Sequence, residues 1–300
     1  MVTQEIQRAL KKNIWKNCVK KFAKQTSGDY MVPEDKDALA SLKSDLPHLY
    51  NTIRFDLLPD PVSGNIDAPL CMILINPGVA PIDEYNYCSV DKLTKDKVRA
   101  EMAAKNHKIA FRFEKSGTES VQLQNRRDVL LKQYLLTPGT VPYSLDESFN
   151  TVDLTGPTGR GARLRCGSFL WTRYLFGIKR DLEKTRKIFA RVFDLEFFPY
   201  HTENFSVQRY MEWENRQRQL NLPLLAHSTF RDELIGAFAK DDRIFIVRSN
   251  FVKDYMIQRL KVKNSRICCF KNPQAAYLTR NNLKCESKKT LAVVFDELEI

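Results

Sequence analysis

Four short apolar runs constrain this chain more than any other feature: CMILIN (71–76), VFDLEFF (192–198), RIFIVR (243–248) and SRICCF (265–270). Each is too short for a core helix and too evenly apolar for a strand with one wet face, so each reads as a strand buried on both sides of a sheet. The intervals carry helical patterns: 168–176 and 180–190 before the second run, 206–219 and 228–239 before the third, 250–261 before the fourth. Every interval exceeds the dozen or so residues that a parallel crossover needs. The expected fold is α/β, a three-layer α/β/α arrangement around a four-stranded parallel sheet, with residues 1–300 forming a single domain.

The 115 residues between the first and second runs are too many for one crossover and imply an insertion over 88–165. It holds helical patterns near 92–106 and 124–135, then a turn-rich stretch ending in GPTGRG. Residues 1–65 read as an N-terminal helical extension. It opens with a basic amphipathic helix over 4–24, where Ile6, Leu10, Ile14, Cys18 and Phe22 recur every fourth residue.

The formal net charge is +12, and its distribution is uneven. Residues 1–25 hold seven basic side chains and one acid, and residues 251–289 hold ten and two. Charge gathered into two segments suits a polyanion, and nucleic acid is the commonest such partner. Nothing approaches the roughly 18 apolar residues of a membrane helix, and the start lacks an apolar signal segment, so a soluble, cytoplasmic protein is expected. Seven cysteines without any CxxC pair fit reduced thiols. With four histidines, none at ligand spacing, neither a metal nor a cofactor is expected.

In open parallel sheets ligands bind beyond the carboxyl ends of the strands, so the segments after the four runs are where chemistry is sought. The first run continues as INPGVAPIDEY (75–85): Asn76 leaves the strand, Pro77 stiffens the turn and Gly78 lets backbone approach a ligand closely. The second continues as EFFPYHTENF (196–205), bringing Glu196, Phe198 and His201 to one strand end as candidates to line a ligand pocket. The fourth is followed by NPQAAYLTRNN (272–282), a second Asn-Pro at a strand end.

An apolar strand ending in INPG, two more buried strands, and a last strand ending in NP with a short apolar loop resemble the uracil-DNA glycosylase superfamily. The likeness is greatest to its mismatch-specific branch, whose first motif is of the GINPG type and whose second begins NPS. It covers about 68–84 and 168–282, and neither the first 65 residues nor the insertion. The resemblance implies a uracil-DNA glycosylase-like fold and a monofunctional, metal-independent DNA glycosylase. Asn76 falls where the family positions the attacking water, and Asn272 where it keeps a group beside the leaving base. The loop 274–279 falls on the segment that fills the hole left by the extruded nucleotide. Here it reads QAAYLT in place of a small-Leu-Ser unit, so Tyr277 or Leu278 is the wedge and Gln274 lies beside it. Leu74 stands where the family often has Gly.

Breaking an N-glycosidic bond passes through an oxocarbenium-like sugar, so an amide that holds a water suffices where a strong nucleophile does not exist. Asp83, or its neighbour Glu84, can supply a base. Lys271, Arg280 and Lys284 are expected to contact phosphates, as are Arg160 and Arg163 of the glycine-rich stretch, which lacks the Lys-Ser/Thr of a phosphate-binding P-loop. Many superfamily members read uracil with an Asn at the end of the second strand. Glu196 in that place accepts from the N4 amino group of cytosine and, when ionised, has no donor for O4 of uracil. With an insertion large enough to house a bulky 5-substituent, the expected substrate is a hypermodified cytosine, such as glucosylated hydroxymethylcytosine of phage DNA. The expected state is a monomer. Two readings stay open beside it: repair of uracil or mismatched thymine in damaged DNA, and a non-catalytic nucleic-acid-binding protein of the same fold.

Overall fold

The computed structural model describes residues 3–18, 30–55, 59, 61–76, 191–202, 205–273 and 278–298. The insertion expected over 88–165 and the helical patterns at 168–176 and 180–190 lie outside them.

All four apolar runs are strands: β2 (Leu70–Leu74), β3 (Val192–Glu196), β4 (Ile244–Val247) and β5 (Ile267–Phe270). They pair in parallel in the order β3-β2-β4-β5. Two strands absent from the sequence reading close the edges, β1 (Val62–Gly64) antiparallel to β3 and β6 (Leu283–Cys285) antiparallel to β5. Among the described residues the sheet is therefore six-stranded, β1-β3-β2-β4-β5-β6. The first 65 residues are accordingly not wholly helical, since β1 comes from them.

Successive side chains of a strand point to opposite faces, and two cores result. On one face Cys71, Ile73, Phe193, Leu195, Phe245, Val247, Ile267 and Cys269 pack under five helices: α1 (Gln4–Lys11), α2 (Lys36–Asp45), α4 (Val207–Gln219), α5 (Ala226–Lys240) and α6 (Asn250–Gln258). The short α3 (Pro47–Tyr50) adds Leu49 to the same core. On the other face Leu70, Met72, Leu74, Val192, Ile244, Ile246, Cys268 and Phe270 meet Val294, Phe295 and Leu298 of α7 (Lys288–Leu298). Helices on both faces give the three-layer α/β/α architecture.

The N-terminal helix is shorter than its periodicity suggests. α1 ends at Lys11, and a second helical stretch starts at Trp15, whose N–H is accepted by Asn13 Oδ1 at 3.0 Å. An asparagine side chain that captures backbone this way restarts a helix instead of continuing it. α1 lies on α5, with Glu5 paired to Lys240 at 3.3 Å and Lys12 paired to Glu233, so part of its charge is spent within the fold.

Thiol status also departs from expectation. Cys268 and Cys285 are neighbours across the β5–β6 pair, with Cα atoms 4.4 Å apart, and their sulfurs are bonded. Sequence spacing does not show this pairing because it depends on the register of a three-residue edge strand. Cys18, Cys71 and Cys269 are buried, and Cys71 and Cys269 are free thiols.

Candidate functional site

The chain leaves β2 to join β3 on one side and returns from β3 across β2 to β4 on the other. In open parallel sheets such a reversal of strand order, here between β2 and β4, is where a ligand crevice is expected at the carboxyl ends. Asn76 stands at that edge, two residues beyond β2. Its Nδ2 donates to the carbonyl of Thr202 at 3.3 Å, which ties the exit of β2 to that of β3. Thr202 is held in turn by a β-bridge to Ile53, and His201 accepts from the Arg54 N–H at 2.9 Å. With its N–H on protein, the Asn76 amide keeps its oxygen as an acceptor.

Asn272 lies at the same edge, two residues beyond β5 and exposed. Its backbone N–H donates to Asn282 Oδ1 at 2.9 Å, and Lys271 N–H donates to the Asn282 carbonyl at 2.6 Å. Arg248, directly after β4, donates from Nε to the carbonyl of Pro273 at 2.9 Å, binding the β4 exit to the second Asn-Pro. The sequence reading passed over Arg248 and Asn282. A charged residue ending an otherwise apolar strand was the available signal for the first, and nothing marked the second.

Glu196 is 5% exposed and, by strand alternation, shares the face of Val192 and Asp194. Its backbone is fixed from the opposite face by α5. His227 Nε2 lies 2.8 Å from the Glu196 carbonyl, and Trp15 Nε1, 3.4 Å from His227 Nδ1, can only donate. This makes Nδ1 the acceptor and Nε2–H the donor. Burial pushes His227 down to about 3, so it is neutral. One turn on, Arg231 Nη1 donates to the Phe197 carbonyl at 3.0 Å, and its guanidinium lies 3.8 Å from the centre of the Phe197 ring.

Arg231 is fully buried and paired with Glu214 at 2.8 Å and Asp232 at 2.9 Å, while Arg218 bridges the same two acids at 2.6 and 2.7 Å. Burial alone would raise Glu214, but Arg231 and Arg218 outweigh it and hold the carboxyl below its ordinary range. Two cations and two anions cancel, so a charged cluster sits inside an apolar face.

Phe198 is not available to a base. It is fully buried, stacked on Phe205 with ring centres 4.9 Å apart and edge-on to Tyr210. Leu278 is also buried, in the core under α7, so it is no exposed wedge. Lys271, Arg280 and Lys284 are exposed, with the Arg280 guanidinium 4.9 Å from the centre of the Phe295 ring. Pro77, Gly78, Asp83, Gln274, Tyr277, Arg160 and Arg163 lie outside the described residues.

A groove of about 820 Å³ between α4 and α6, lined by Met211, Arg218, Asp232, Phe251, Tyr255 and Arg259 among others, contains none of the predicted site residues. Burial raises the thiols of Cys71 and Cys269, the latter to about 11, which disfavours thiolate chemistry at either. Among the described residues no group of three or more His, Cys, Asp or Glu side chains is arranged to hold a metal ion, and no helix is long and apolar enough to cross a membrane.

Compared with protein-family models, curated proteins and solved structures, the chain matches none.

Proposed function

We propose that the chain is a DNA glycosylase that takes an extruded pyrimidine nucleotide into the carboxyl-edge crevice and hydrolyses its N-glycosidic bond. The observation that carries this reading is the Asn76 amide, anchored to Thr202 at the carboxyl end of β2, with the second Asn-Pro at the same edge and tied there by Arg248. An anchored amide oxygen accepts from a water and orients it toward an anomeric carbon, while Asn272 stands beside the departing base. The exposed Lys271, Arg280 and Lys284 supply the positive surface that phosphates require.

For the substrate we propose a cytosine enlarged at C5, with glucosylated hydroxymethylcytosine of phage DNA as the first candidate. The support is Glu196, a carboxylate at the end of β3 suited to the N4 amino group.

The test is mass spectrometry of bases released from parallel DNAs containing uracil, G:T mismatches, hydroxymethylcytosine and its glucosylated forms, with alkaline cleavage reporting abasic sites. Release from glucosylated DNA alone, altered by Glu196→Gln, supports both parts. Uracil release alone keeps the glycosylase and replaces its substrate by that of base-excision repair. DNA binding without release of any base favours a non-catalytic binding protein. Asn76→Ala should lower turnover about 100-fold or more with little change in DNA affinity, and an unchanged rate removes Asn76 from the mechanism.

A further inference from the structure

The Cys268–Cys285 bond closes a hairpin that carries Asn272, the segment 274–277 and Arg280. Counting back from the Lys271–Asn282 hydrogen bond, Cys268 and Cys285 occupy a non-hydrogen-bonded pair, which fits their Cα separation of 4.4 Å. Among the described residues β6, three residues long, has β5 as its sole neighbour in the sheet. Leu278 and Leu283 of the hairpin share a core with Val294 and Phe295, and Arg280 lies over Phe295, so α7 rests on the same hairpin. The bond thus staples a short edge strand of the sheet together with the hairpin on which α7 rests.

Access is one-sided. Cys268 is fully buried and Cys285 only half-buried. The adjacent free thiol, Cys269, sits on the opposite face of β5 among the residues under the five helices, where it cannot reach the bond.

We propose that the Cys268–Cys285 pair is a redox lock on the β5–β6 hairpin. Oxidised, it holds β6 and α7 against the sheet; reduced, it releases both while the parallel quartet stays folded. The reductant is a low-molecular-weight thiol such as glutathione. Its thiolate attacks Cys285 Sγ, forms a mixed disulfide there and expels Cys268 as a thiolate, which takes a proton from water. A second glutathione thiolate attacks the glutathione sulfur of that mixed disulfide, releasing Cys285 and forming one oxidised glutathione. Two electrons pass to the protein, and the reverse sequence restores the bond. The lock does not depend on the glycosylase reading.

The experiment equilibrates the full chain in glutathione buffers from oxidising to reducing, counts alkylated thiols by mass and measures amide exchange in each state. Reduction should add alkylation at Cys268 and Cys285 and speed exchange about tenfold or more at Lys271, Asn282, Leu283 and α7, leaving Phe245, Ile246 and Val247 protected. Cys285→Ser, at a half-buried position that tolerates a hydroxyl, should exchange like the reduced protein in every buffer. Equal hairpin exchange in both states, protection in Cys285→Ser equal to that of the oxidised chain, or loss of protection throughout β4 on reduction would each overturn the lock. A duplex DNA probe in the same buffers separates the two proposals: faster hairpin exchange with unchanged DNA affinity supports the lock and removes the hairpin from the DNA interface.

Discussion

The two faces of the sheet are built differently. Beneath the five helices the core is aromatic and continuous, with Phe193 edge-on to Phe238, Phe197 edge-on to Tyr255, and a neutralised cluster of Arg231, Arg218, Glu214 and Asp232 inside it. Under α7 the described core is smaller, rests on one helix and a disulfide-closed hairpin, and shares its face with Glu196. The first face is a scaffold whose His227 and Arg231 fix the carbonyls of Glu196 and Phe197. In the proposals made above, the second carries Glu196 and the disulfide, the parts that a ligand or a change of redox state would meet. A strand end backed by locked side chains holds a site more precisely than a loop does.

The contrast is broken most severely at Arg231. Arg231→Met removes one of the two guanidinium groups that neutralise buried Glu214 and Asp232, leaving two acids to Arg218 alone, and should cost about 3–5 kcal/mol in urea unfolding. Adding Glu214→Gln should recover part of that loss, because the uncompensated charge goes with it; no recovery would mean that the guanidinium's packing on Phe197 dominates.

Next come the aromatic truncations, one on each face. Phe238→Ala deletes a fully buried ring that also lies under Arg243, 4.1 Å from its guanidinium, and should reach the upper part of the about 3–5 kcal/mol expected for such changes. Phe295→Ala on α7 should fall near the lower end, since the smaller core can settle into the space. Equal losses from the two would remove the distinction between scaffold and adaptable face.

The smallest effect sharpens the comparison through pH. Asp35 accepts from Tyr200 Oη at 2.6 Å and from the Ala226 N–H at 2.7 Å, capping α5 from a distant segment, and burial outweighs these bonds to raise it to about 6 from an ordinary 3.8. Its contribution is fully present below pH 3.8 and lost as pH rises through 6. His227, lowered to about 3 from 6.5 by burial, contributes above pH 6.5 and loses that contribution as pH falls toward 3. Between pH 4 and 6 the two slopes oppose each other, each at most about 1.4 kcal/mol per pH unit. Asp35→Asn should therefore make stability climb steeply across that window, and His227→Gln should make it fall. Urea midpoints at pH 4, 5 and 6 decide this, and parallel curves for wild type and both variants would refute it.

What the sequence determined by itself is the parallel quartet and the helices between its later strands. Continuous apolar runs have few alternatives to a buried strand, and the patterns at 206–219, 228–239 and 250–261 became α4, α5 and α6 with ends shifted by no more than three residues. It also brought Asn76 and Asn272 to strand ends, because a polar residue after an apolar run marks where burial stops. Only the tertiary structure decided the rest. VSG and LKC carry no periodicity and become strands solely because β3 and β5 offer unpaired edges. Arg231 reads as a solvated helix residue until Glu214 and Asp232 arrive from α4 and its own helix to neutralise it. Phe198, placed at a strand end, was claimed by Phe205 and Tyr210 for the core. The partner of the Asn76 amide is 126 residues away in the chain. Local pattern records whether a residue is to be buried; which residue it meets there is set by strand order and helix crossing, which no window of sequence contains.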